Sequence, residues 1–320
     1  MTVSVAGPWL LLPPWAELRG PASARKALSS LLGQSDRLES GKAGREAQWM
    51  RVFDVLPRQL PMAPLTRLLD AEDAAYRAWL RCDPVHLRAD GPQARLLAHG
   101  DSLRLTEAEA SELMAPLKPV FGDYGLLLSA PKPDRWYASI ERESVTTLMS
   151  PPNQALGEDV LPHLPEGPSG ARWRQLWNEC QVLLHQHPLN ARRAESGLPT
   201  INSLWFWGAG VLPDSVRSAH THLLTRDELG LALSRLAKVA PLPAQQADWP
   251  QASVIDLYHL RDLKSLADAV IPAIRLQATS HPAGITLDFA DGQRFLWRHA
   301  HRWRFWRRPV SGLPPPTSDS

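Results

Sequence analysis

The chain has 320 residues, 44% of them hydrophobic, enough to bury the core of one large domain or two moderate ones. Its 35 basic and 33 acidic side chains leave a net charge of +2, which gives no global argument for nucleic acid. The two cysteines, Cys82 and Cys180, have no zinc-ligand spacing and read as buried thiols of a cytosolic protein.

In chain order, the start MTVSVAGPWLLLPPW has no basic residue before its short apolar run, and Pro13 and Pro14 interrupt that run. It is a poor signal peptide and too short to span a bilayer, so a cytoplasmic protein is expected. Residues 8–12 (PWLLL) read as a first strand and residues 22–80 as helical apart from the polar loop GQSDRLESGK. The period then changes. DPVHLRAD and ARLLAHGD are strand-like, Thr106 with Glu109 forms a capping box for the helix EAEASELMAPLKPVF, and GLLLSA and RWYASI resume strand character. This order predicts a small α+β subdomain over 83–150, inserted between a first part of the core (1–82) and its remainder (151–310).

After the proline-rich connection comes the helix ARWRQLWNECQVLLHQH, whose Trp173, Leu176, Trp177, Cys180 and Leu184 share one face. The helical turns of HPLNARRAESG precede the strand NSLWFWG. Thr225 with Glu228 predicts a second capping box, for DELGLALSRLAKV. ASVIDLY reads as a strand, RDLKSLADAVIPAIRLQA as a helix, and 285–306 as a hairpin turning on Asp291-Gly292. The tail 311–320 is disordered by composition.

Neither G-x-x-x-x-G-K-[ST] nor G-x-G-x-x-G is present, so no phosphate loop of those kinds exists. The metal candidates are Asp256, His259 and Asp262 in IDLYHLRD, with surface or capping roles as the competing reading. His185 and His187, two apart on a helix, do not share a face. His299 and His301 would share a strand face with Phe295, Trp297, Trp303 and Phe305. The opposite face would carry a basic patch of Arg298, Arg302, Arg304 and Arg308. That patch reads either as a solvated edge strand or as a grip on an acidic partner, a phosphate ligand or single-stranded nucleic acid.

The run LPTINSLWFWGAGVLP (198–213) poses a similar choice between a buried strand and a glycine-lined place where ligand meets backbone. Around it Asn190, Arg193, Asn202, Ser203, Trp205, Trp207, Gly208 and Gly210 form a candidate ligand site, with Arg135 and Arg172 as further contributors. Asn190 as a cap and Arg193 in a structural ion pair is the alternative.

The run WNECQVLLHQHPLNARRAESGLPTINSLWFWGAGVLP, with CDPVHLRAD, PDRWYASI and ALGEDVLPHLPEGPSGARWR before it, resembles the RpfE-type regulatory proteins of proteobacteria. These in turn are similar to the archaeal-type cofactor-independent phosphoglycerate mutases of the alkaline-phosphatase superfamily. The shared pattern is H-P-x-N-x-x-R, then G-x-P-x-N, then an apolar strand ending in G-x-G; here it falls on His187, Pro188, Asn190, Arg193, Gly197, Pro199, Asn202, Gly208 and Gly210. The resemblance implies an α/β fold: a reduced phosphoglycerate-mutase-like core with an inserted α+β subdomain. It also exposes departures. Those mutases open with an Asp-Gly metal motif after strand one, where this chain reads LLLPPWAEL, and their serine nucleophile and paired Asp/His metal ligands have no counterpart.

The expectation is therefore a cytoplasmic, non-catalytic regulatory protein on that scaffold. It needs no cofactor, binds a small phosphorylated or acidic ligand or a protein partner, and has no membrane partner. The alternatives are a metal-dependent mutase or phosphatase-like enzyme, and a nucleic-acid binder acting through the C-terminal Arg/Trp strand.

Overall fold

The computed structural model describes residues 7–91, 93–141, 149–244 and 248–310. The expected tail at 311–320 lies outside them. The strands are β1 Trp9–Leu12, β2 Asp36–Arg37, β3 Phe53–Leu56, β4 Ala78–Asp90, β5 Gln93–His99, β6 Leu127–Lys132, β7 Arg135–Ile140, β8 Ser203–Gly210, β9 Ser215–Ser218, β10 His222–Leu224, β11 Ala240–Pro241, β12 Ser253–Asp256, β13 Ile285–Phe289 and β14 Arg294–Trp297. The helices are α1 Ala22–Gln34, α2 Arg45–Val52, α3 Met62–Asp70, α4 Glu107–Asp123, α5 Pro152–Ala155, α6 Gly167–His185, α7 Leu189–Glu195, α8 Glu228–Ala237, α9 Leu263–Ser265 and α10 Ile271–Gln277. The fold is mixed α/β. By contacts, Leu60–Pro213 forms one compact unit and the rest of the described chain another. Helices α6 and α7 and strand β8 therefore pack with β4–β7, not with the first strand.

The unit containing β1 is built on a seven-stranded sheet in the order β11-β10-β12-β1-β13-β14-β2. Strands β10 to β13 and β1 run parallel, while the β13–β14 and β14–β2 pairs are antiparallel. Leu10, Leu11 and Leu12 are all buried, as expected of a central parallel strand covered on both faces. Leu28, Leu31 and Leu32 of α1 and Ile271 and Ile274 of α10 pack with Leu10, Leu12, Phe289, Phe295 and Trp297 into one core. At the edge of this unit His220 is 6% exposed, meets the Trp9 ring edge-to-face at 5.1 Å, and has an unpartnered Nδ1. Burial holds its imidazole down at about 4 against an ordinary 6.5.

The second unit is a five-stranded antiparallel sheet in which β4 pairs with β5, β7 and β8. Helices α4 and α6 cover it, with Leu113, Leu117, Phe121, Trp173, Leu176, Cys180, Leu204 and Phe206 in the core. The Thr106–Glu109 capping box forms as expected, each side chain satisfying the other's backbone N–H.

Three expectations are corrected. The helical reading of 22–80 is interrupted by β3, because FDVL pairs in register with β9, and it ends with α3 at Asp70, before β4 begins at Ala78. Long-range ladder bonds there override local helix propensity. The cap of α8 is Asp227, whose Oδ1 accepts from Gly230 N at 3.0 Å, while the Thr225 hydroxyl donates to Asp256. The hairpin on Asp291-Gly292 forms, but β14 stops at Trp297 and His299–Trp303 is a 3-10 turn. Arg298 and Arg304 both turn toward Asp36, so the alternating faces assumed for 298–308 do not exist.

Candidate functional site

In open α/β sheets ligands bind beyond the carboxyl ends of the parallel strands. At that end of the seven-stranded sheet, β12 finishes on Asp256, β10 leads into Thr225 and Asp227, and β13 carries Asp288 near its end. Three acids are thus brought together by topology alone. Helix α2 meets them with Arg45 at its start, and Gln48 and Trp49 one turn on along the same face.

The acids are committed to arginines. Arg45 Nη2 donates to Asp256 Oδ2 at 2.6 Å, and Arg45 Nε approaches Asp227 Oδ2 at 3.3 Å. The same Asp256 oxygen accepts the Thr225 hydroxyl at 2.6 Å, and its Oδ1 accepts Tyr258 N at 3.1 Å. The Arg45 guanidinium also lies 4.4 Å from the ring centroids of both Trp49 and Tyr258. Asp288, with no exposed side-chain surface, is gripped in bidentate fashion by Arg51 Nε and Nη2, both at 2.7 Å, with Arg294 Nε at 3.5 Å. Buried Gln48 ties the strand ends together through Leu12 O at 3.0 Å and Asp288 O at 2.8 Å.

A two-metal centre of the kind the resemblance implies needs carboxylate oxygens free to bind cations. Here those oxygens already accept from guanidinium groups, so the residues do not fit such a centre. Among the described residues no group of three or more His, Cys, Asp and Glu could hold a metal ion. The expected trio Asp256, His259 and Asp262 does not converge. Asp262 caps α9 by accepting from Lys264 N at 3.0 Å and Ser265 N at 2.9 Å, and His259 lies exposed in the preceding turn. His301 is buried, its Nδ1 accepting from Arg298 N at 3.2 Å. Burial and then the Arg304 charge lower its pKa, with Asp36 opposing them.

Eight of the ten residues of the expected ligand site fall into four separate contacts in the other unit. First, the Asn190 amide donates to Leu184 O and Ile201 O at 2.7 and 2.8 Å, and its oxygen accepts Ile201 N at 2.7 Å. Arg193, 1% exposed, donates to Pro199 O at 2.9 Å, Glu109 Oε1 at 2.7 Å and Leu103 O. Asn202 extends the sheet by exchanging two amide bonds with Leu87, at 2.7 and 2.8 Å, and Ser203 accepts from Gln181 at 3.1 Å. These four residues fasten α7 and the start of β8. Second, Trp205 Nε1 donates to Ser150 O at 2.8 Å.

Third, Trp207 Nε1 donates to Asp83 Oδ2 at 2.6 Å, and Arg81 Nε donates to Asp83 Oδ1 at 2.8 Å. Burial pushes the Asp83 carboxyl above its ordinary range although Arg81 and Trp207 oppose it. Arg81 continues to Thr66, and Thr66 to Tyr137, Asp70 and Arg135, forming one buried polar chain beneath α3. Fourth, Arg172 donates to Tyr124 O and lies over that ring. The glycines have a packing cause as well. Gly208 has φ +68°, and a Cβ there would lie 3.0 Å from Met62 Cβ; one on Gly210 would lie 2.5 Å from Pro61 Cβ. The start of α3 packs beside both.

Sequence reasoning missed Arg45, Arg51, Gln48, Thr225, Asp227 and Asp288. A readable signal existed for part of this set: Arg45, Gln48 and Trp49 fall at i, i+3 and i+4, an unusual polar pair beside an aromatic on one helix face.

No family model matches the chain. Over 63 residues it is 41% identical to a probable 2,3-bisphosphoglycerate-independent phosphoglycerate mutase of Geobacter sulfurreducens, covering 20% of this chain and 16% of that protein. It is 28% identical over 113 residues to the 2,3-bisphosphoglycerate-independent phosphoglycerate mutase of Methanothrix thermoacetophila, covering 35% of this chain and 28% of that one. With the enzyme of that name from Methanosarcina mazei it shares 37% identity over 67 residues, covering 21% and 17%. The chain thus spans less than a third of the length of these relatives. Among solved structures it is similar to the cofactor-independent phosphoglycerate mutase from Thermoplasma acidophilum, at 13% identity and a TM-score of 0.46, covering 92% of this chain and 90% of that one.

Proposed function

We propose that the chain is a cytoplasmic, non-catalytic regulatory protein of the RpfE type on a reduced phosphoglycerate-mutase-like scaffold, acting by binding a small phosphorylated or acidic ligand or a protein partner. The observation that carries this reading is the pairing of Asp256 with Arg45 and of Asp288 with Arg51 at the carboxyl ends of the parallel strands. Where a phosphoryl-transfer enzyme needs a cation-binding set of acids, this chain supplies its own cations covalently, from helix α2. Local similarity to proteins named as mutases supports the ancestry of the scaffold. The same printed names favour a second reading, that the chain itself interconverts phosphoglycerates. Phosphorus NMR of 3-phosphoglycerate with the purified protein and added manganese separates the two. The regulatory reading expects no conversion above the protein-free control; conversion abolished by Asp256→Asn would overturn it.

A further inference from the structure

The segment after β14 is held firmly and ends in exposed aromatics. Arg298 and Arg304 donate to the two oxygens of Asp36 at 2.7 and 2.6 Å, and Arg307 donates to Ser35 O at 3.0 Å. Beyond it, Val310 N donates to Ser29 O at 3.0 Å, and the Ser29 hydroxyl returns a bond to Val310 O. Residues 302–308 are thereby pinned at both ends against α1 and β2. From this pinned loop Trp303, Phe305 and Trp306 project with 62, 81 and 68% of their surface exposed. Single exposed apolar residues are ordinary on a protein surface; three adjacent aromatics on a fixed loop are not.

The charge around them has one sign. Arg298, Arg304 and Arg307 are set against the single carboxylate of Asp36, Arg302 and Arg308 add two further positive charges, and the sequence holds no acid between Asp291 and Val310. Arg302 lies over the Trp303 ring at 4.9 Å, and Phe305 meets Trp306 edge-to-face at 5.3 Å and 82°. Phe305 and Trp306 therefore form a contacting apolar pair, and the Trp303 ring close by in sequence is covered by a guanidinium group. A single strand of nucleic acid asks for separate open ring faces on which successive bases stack. An anionic lipid surface asks for what is present: aromatic side chains that settle at the headgroup level and basic ones that stay in the negative surface potential.

We propose that the Trp303–Phe305–Trp306 knob, with Arg302 and Arg308, docks the protein onto the surface of an anionic phospholipid bilayer. This departs from the expectation of no membrane partner, which rested on the lack of a spanning segment. Indeed no helix among the described residues is long and apolar enough to cross a membrane, and a peripheral contact requires none. The proposal is independent of the regulatory reading.

Vesicle sedimentation tests it with the full chain and two exposed-site variants, Trp303→Ser/Phe305→Ser/Trp306→Ser and Arg302→Glu/Arg308→Glu. Unchanged urea midpoints establish that both variants fold. Vesicles of phosphatidylcholine with phosphatidylglycerol should retain the native chain at least about tenfold better than phosphatidylcholine alone, since each basic side chain near such a surface contributes about 1 kcal/mol. The aromatic variant should lose about tenfold in partition and the charge-reversed one about thirtyfold or more. Equal retention on both vesicle types, or none on either, overturns the proposal. So does binding of a uridine 20-mer that both variants lose while vesicles are not bound, or a dimer of the native chain that the aromatic variant dissociates.

Discussion

Replacing Arg51 with methionine lowers folding stability by about 3–5 kcal/mol, because it strands the fully buried Asp288 carboxylate. The magnitude follows from an asymmetry. Arg51 and Asp288 together cost desolvation and gain a bidentate, charge-assisted pair, so their net contribution is small. Removing only the cation leaves the carboxylate with Gln48 and Arg294 at 3.5 Å, too long to replace two bonds of 2.7 Å. The double variant Arg51→Met/Asp288→Leu, which removes both charges, should therefore be closer to the native chain than Arg51→Met alone. Urea unfolding at pH 7 checks both. A cost below about 1 kcal/mol for Arg51→Met would mean that Asp288 has another partner and that the arginine does not fill the strand-end site.

Acid should weaken the same unit through His220, by about 2–3 kcal/mol between pH 7.5 and 4.5. The sign follows from where the proton goes. The unfolded imidazole takes a proton near 6.5, whereas burial in the folded chain delays protonation to about 4. Between those values the unfolded state binds more protons, so stability is fully present above about 6.5 and is lost as pH falls toward 4. Burial against Trp9 with an unpartnered Nδ1 outweighs the backbone hydrogen bond at Ala252, which favours the charged ring. A His220→Leu variant should lack this component of the slope, measured as the difference in unfolding free energy between the two pH values. Equal slopes in the two chains would show that His220 takes up its proton as readily folded as unfolded.

Much of the architecture could be read locally. The buried run WLLL, the Thr106–Glu109 capping box, the apolar face of α6 and the Asp291-Gly292 turn each involve residues within a few positions of one another, and each is present. What was misread depends on distant partners. FDVL looks like the continuation of a helix until β9, far along the chain, supplies its ladder. The strand at 294–308 looked longer than it is because Asp36, 262 residues before Arg298, bends it away.

The site was less legible still. Arg45 and Asp256 are 211 residues apart and Arg51 and Asp288 237 apart, so no spacing rule joins them. The polar residues around 190–203 stand out in the sequence because they cluster there. Their bonds show why they cluster: Asn190, Arg193 and Asn202 replace backbone partners where α7 hands over to β8, which is a fastening role. Arg193 in particular presents its donors to Glu109, Leu103 O and Pro199 O, and 1% of its surface is exposed.

Guanidinium groups take up the strand-end carboxylates. Titration calorimetry of the purified chain with manganese at pH 7 tests it most directly. No stoichiometric binding with Kd below about 100 μM is expected, because a cation must first displace Arg45 from Asp256 or Arg51 from Asp288. One or two manganese ions bound per chain at low micromolar Kd, with that binding abolished by Asp256→Asn or Asp288→Asn, would contradict it.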